Sequence, residues 1–129
     1  MKKLLAFHND PKIKAFYVER MKAHITADEL IQGTYWKNGK GCATGCVMES
    51  ETPHVLFPEK IGYPETIARL IDKIFEGLPN DKAKVFALEV LETVSTGADL
   101  SLVTPKFFVW LMDDLQQYTE NHTDVSNVL

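Results

Sequence analysis

Long hydrophobic runs are missing from this chain. No segment approaches the roughly 18–20 consecutive apolar residues of a membrane span, so no membrane partner is expected. The first ten residues, MKKLLAFHND, place Lys2 and Lys3 before an apolar run that ends at Phe7. A signal-peptide core takes about 7–15 apolar residues. This run is too short, and a cytoplasmic chain with reduced thiols is expected. Cysteine is scarce: two residues in an acidic chain do not make the framework of a disulfide-stapled secreted domain. Excess positive charge is lacking as well. The formal net charge is -4, which argues against nucleic acid or an anionic bilayer as partner, since both call for a basic surface. No period-2 alternation is convincing, and no internal repeat is visible.

What the chain does have is helical periodicity with clear punctuation. A length of 129 residues fits one domain able to bury a core without disulfides or a structural metal. Asp10 and Pro11 read as the N-cap and first residue of a helix to about His24, with Ile13, Phe16, Tyr17, Met21 and His24 or Ile25 on its apolar face. Thr26 and Glu29 have the spacing of a capping box that would open a short second helix. Another short helix is expected from about Gly41 to Ser50. Pro64 to Glu76 shows the cleanest stripe, through Ile67, Leu70, Ile71, Ile74, Phe75 and Leu78, with Glu65, Arg69, Asp72, Lys73 and Glu76 outside it. Asn80 would cap a central helix to about Val94. Thr104 and Pro105 open a last one carrying Phe107, Phe108, Leu111, Leu115 and Tyr118. The expected fold is all-α: a compact, irregular bundle of five to six helices in a single domain over 1–129, with a frayed tail at 120–129.

The chemistry-bearing residues concentrate in YWKNGKGCATGCVM, residues 35–48, which hold both cysteines and three of the seven glycines. A phosphate loop fails, because five residues separate Gly33 from Gly39 and Gly41 stands where Ser or Thr would hold magnesium. A weaker anion site survives at the glycines and Lys40. A C-x-x-C redox pair fails on spacing, and two residues at i and i+4 of a helix are too far apart for a disulfide. A metal site could use Cys42, Cys46 and His54, with zinc as the alternative to an expectation of no cofactor. A nucleophile could be Cys42 at a helix start, its thiolate favoured by the dipole and by Lys40, with His54 as base. Against both stands plain packing: Cys42, Ala43, Cys46 and Val47 as a small-residue face, with Gly41 and Gly45 admitting a close neighbour. Gly45 within a helix points to such a neighbour or to a ligand. Trp36 beside the glycines is a binding candidate or a core anchor, and Asp99 a site carboxylate or an N-cap.

The blocks KGCATGC, RLIDKIFEGLPN and GADLSLV resemble a family of small, uncharacterised bacterial and phage-associated proteins built around a Gly-Lys-Gly-Cys-Ala-x-Gly-Cys core. The likeness spans about residues 30–112 and brings no activity with it. It implies that the Gly-Cys segment and the GADLS turn are family features, with Cys42, Cys46 and Asp99 matching. Relatives carry a histidine near the position of Glu49. This chain departs there, which puts a histidine-dependent metal or catalytic role in doubt. The sequence thus favours a non-enzymatic helical protein acting through self-association, as a homo-oligomer, or through partner binding. The alternative is a small thiol-dependent enzyme or metal-binding protein centred on Cys42, Cys46 and His54.

Overall fold

Asp10 starts the first helix as its sequence position suggests. Its side chain accepts from the backbone N–H of Lys12 at 2.9 Å, ahead of α1, Pro11–Thr26. A computed structural model describes residues 3–102; the expected helix from Thr104 and the tail at 120–129 lie outside them. Helix α1 buries Val18, Met21 and His24. Phe16 does not join that face: it is 55% exposed, and the Arg20 guanidinium lies over its ring, 4.7 Å from the centroid.

No second helix begins at Thr26. That residue ends α1, and the chain reverses at Asp28, whose φ of 57° is left-handed. Glu29 N–H then donates to the His24 carbonyl at 2.9 Å, so the capping box never forms. Leu30 is instead buried against Gly41 in a parallel bridge. A small antiparallel hairpin follows, β1 Trp36–Lys37 and β2 Lys40–Gly41. Asn38 and Gly39 close it with φ of 55° and 80°, the backbone that a two-residue Asn-Gly turn supplies. The all-α expectation is corrected here: among the described residues the fold is mostly helical with one two-stranded sheet.

Helix α2, Ala43–Met48, is wholly buried and stops at Glu49, which is left-handed with φ 51°. A 3-10 turn at His54–Leu56 leads into α3, Phe57–Ile61. Gly62 ends α3 with φ 72°, where an added Cβ would lie 2.1 Å from the Leu5 carbonyl oxygen. Helices α4, Glu65–Gly77, and α5, Asn80–Glu92, follow close to the expected limits. Asn80 is the first residue of α5 and caps nothing; the Pro79 carbonyl accepts from Ala83 N–H at 2.8 Å.

Helix α5 packs on both α1 and α4, and α2 sits among all three. The line that α5 buries is Ala83, Ala87 and Leu91, while Val85 is 57% exposed. Small residues at i and i+4 let the neighbouring helices come close. On α4 the buried residues are Ala68, Ile71, Asp72 and Phe75, and Ile74 is largely outside. The end of the described chain returns to its start, where Ala6 N–H donates to the Ala98 carbonyl at 2.8 Å and Leu100 N–H to the Leu4 carbonyl at 2.6 Å. A mixed aromatic and aliphatic core fills the middle, including Phe7, Met21, Phe57, Ile61, Tyr63 and Phe75.

Candidate functional site

The Gly-Cys segment is a seat for backbone. An added Cβ would sit 1.5 Å from the Tyr35 carbonyl oxygen at Gly45 and 1.9 Å from it at Gly41. Both glycines therefore let residues 34–36 lie directly on the start of α2. Cys42 N–H donates to the carbonyls of Thr34 at 2.8 Å and Tyr35 at 3.2 Å, which fixes that contact. The close neighbour is an irregular strand, not another helix.

Cys42 does take the N-cap position of α2, in extended backbone. Its Sγ lies 3.8 Å from the Tyr35 carbonyl oxygen and 3.6 Å from Thr44 Oγ1, and the residue is 1% exposed. Burial first, and then the charge of Asp72, push the thiol up to about 12. Helix α2 is only six residues long, and desolvation outweighs what its dipole gives. Lys40 is exposed on the hairpin and takes no part in that shift. Cys46 donates toward the carbonyls of Gly41 at 3.3 Å and Glu29 at 3.7 Å. Burial, followed by Cys42, pushes it up to about 12 as well. Both cysteines are free and buried.

His54 joins a carboxylate. Its Nε2 is 2.5 Å from Asp72 Oδ2, and the two residues are 6% exposed each. Asp72 Oδ2 also accepts the Thr44 hydroxyl, and Asp72 Oδ1 accepts Thr44 N–H at 3.2 Å. With Asp72 accepting from every partner, the proton of a neutral His54 ring sits on Nε2, and Nδ1 keeps its lone pair. Nδ1 has no hydrogen-bond partner among the described residues, and no buried side-chain nitrogen or oxygen among them lacks one. Nδ1 is therefore not fully sealed from solvent, although the residue as a whole is buried.

The opening is a cleft of about 590 Å³ whose lining includes Gly33, Tyr35, His54, Arg69, Asp72 and Lys73. Tyr35 stands edge-on to the His54 ring at 5.0 Å. One wall is the 32–35 loop, which is fastened to α4. Gln32 Nε2 donates to the carbonyls of Phe75 at 2.8 Å and Leu78 at 2.9 Å. Gly33 N–H donates to both Glu76 carboxylate oxygens at 3.0 Å.

The remaining candidates fall elsewhere. Trp36 packs edge-on to His24 at 5.5 Å in a second polar cluster. There His24 Nδ1 meets Glu29 Oε1 at 2.9 Å and Nε2 meets Glu49 Oε1 at 3.0 Å, with Arg20 3.6 Å from Glu49. Asp99 is exposed beside Leu5 and accepts from Ser101 N–H at 3.0 Å, a contact within the local turn. Among the described residues, no three or more His, Cys, Asp or Glu side chains are grouped to hold a metal ion, and no helix is long and apolar enough to cross a membrane.

Asp72 and Thr44 escaped the sequence reading. Asp72 reads as part of the polar side of α4, yet counted from Ala68 the residues Ile71, Asp72 and Phe75 fall at i+3, i+4 and i+7, the spacing of a buried stripe. A carboxylate on such a stripe is the signal that could have found it. Comparison with family models, with curated proteins and with solved structures gives no match to this chain.

Proposed function

We propose that the protein binds a small molecule in the cleft beside His54 and accepts a proton from it at His54 Nδ1. One observation carries this: a buried Asp72–His54 pair, with no hydrogen bond to His54 Nδ1 among the described residues, lines a cleft of about 590 Å³, a volume in the small-ligand range. Asp72 would hold the ring in one orientation and tautomer, as carboxylates do for catalytic histidines. Thr44 would hold Asp72 in turn. The raised thiols speak against Cys42 as nucleophile, since the thiolate is the reactive form. The Gly-Cys segment then serves as the packing element that supports the site, a role met inside one chain without a second copy.

Ligand-observed NMR of the full chain against a mixture of charged and neutral small molecules tests the proposal. Binders should be lost with His54→Gln. They should weaken with Asp72→Asn, whose amide can donate to Nε2 and so shift the ring proton to Nδ1. An absence of binders, or binders indifferent to both substitutions, overturns it.

A further inference from the structure

Two cations of the cleft lining have little or no partner of their own, and this says what the cleft would take. Arg69, Asp72, Lys73 and Glu76 follow one another at i, i+3, i+4 and i+7 of α4, so they share a helix face, and all line the cleft. The two carboxylates each accept hydrogen bonds from the protein. Asp72 accepts from His54 and Thr44, and both oxygens of Glu76 accept Gly33 N–H. Lys73, by contrast, makes no hydrogen bond or ion pair among the described residues, although it is fully able to donate. Arg69 meets only Glu65, one turn back, at 3.6 Å with both side chains exposed, a pair of small net value.

We infer that the ligand of this cleft bears a small anionic group, a carboxylate or a phosphate, held by Lys73 and Arg69 next to His54. The inference rests on the reading of His54 as the proton acceptor of the cleft. It adds the substrate class: an anion whose acidic hydrogen or hydroxyl is brought to Nδ1. Lys73 supplies a point charge, and Arg69 a planar fork once it turns from Glu65. Both are exposed, while the Asp72–His54 pair is buried.

Matched probes separate charge from shape. The full chain is titrated with acetate, acetamide, methyl phosphate and trimethyl phosphate, following the His54 ring and the Gly33 amide by NMR. Saturable shifts are expected with acetate or methyl phosphate and not with the neutral partners, and the tighter anion assigns the source. Lys73→Met and Arg69→Met, both on exposed positions, should each weaken the anion by about tenfold. Neutral probes binding as well as the anions would overturn the inference and leave the His54 cleft standing. Anion binding unchanged in both variants would overturn it too. If none of the four probes moves either signal, the anion class is wrong, and the wider screen decides on the cleft itself.

Discussion

Thr44 shows how much can rest on a residue with no reactivity of its own. It is 0% exposed, and both its N–H and its hydroxyl serve Asp72. A carboxylate brought out of water loses far more hydration than one partner returns, so a buried Asp72 needs these donors as well as His54. Removing the hydroxyl without changing the volume isolates one of them. Thr44→Val is expected to cost about 2 kcal/mol in urea-induced unfolding, the range of a hydrogen bond to a charged group. Thr44→Ser keeps the hydroxyl and should retain most of that stability. No loss in Thr44→Val beside a loss in Thr44→Ser would show that the methyl group, not the hydroxyl, matters here. Burial keeps the neighbouring Cys42 thiol protonated, and the charge of Asp72 adds to it.

At the scale of elements, the decisive contact is that of the 34–36 strand with α2. Gly45→Ala would place a methyl group 1.5 Å from the Tyr35 carbonyl oxygen, with the Tyr35 carbonyl carbon next at 2.5 Å. Backbone cannot yield as a flexible side chain does. The substitution is expected to cost about 3 kcal/mol or more, at or above the upper end for overpacking, and to move the Tyr35 side of the cleft. Chemical denaturation measures the first effect, and the His54 ring signals report the second. Gly77→Ala is the control, since its added Cβ meets nothing within 4 Å. Much of this arrangement was legible in the sequence. Asp10 and Pro11 marked α1, the stripe of α4 was plain, and Gly45 pointed to a close neighbour. The hairpin was missed: Asn38-Gly39 carries its turn signal, but two-residue strands are too short for any alternation to register. The failed capping box at Thr26 has another cause. Local spacing proposed a helix start, and tertiary contact won, because Leu30 gains burial against Gly41 only if the chain turns away at Asp28. The pairing of Asp72 with His54 crosses 18 positions and no local pattern encodes it; only the misplaced carboxylate on the α4 stripe hinted at it.

Over the whole molecule, the buried titratable groups impose a direction on stability against pH. Cys42 and Cys46 are pushed from an ordinary value of 9.0 up to about 12, chiefly by burial. Burial pushes Tyr63 up from 10.0 as well, although its hydroxyl donates to the Val90 carbonyl at 2.6 Å. Each group holds its proton more tightly folded than unfolded. Above the unfolded value, the unfolded chain therefore binds fewer protons, and stability falls as pH rises. The contribution of the thiols is complete below pH 9 and drains away between about 9 and 12. Tyr63 adds its loss from about pH 10 upward. Urea midpoints at pH 7.5 and pH 10 should differ, with a drop on the order of 1 kcal/mol for each thiol. Replacing both cysteines by alanine opens small cavities and lowers stability at every pH, so the difference between the two pH values is the quantity to compare. That difference should shrink in the double variant, because the groups that release protons only on unfolding are gone. An equal difference in both proteins would mean that the thiols ionise as readily folded as unfolded. The seat under Tyr35 would then be wet, and Cys42 would return as a candidate nucleophile.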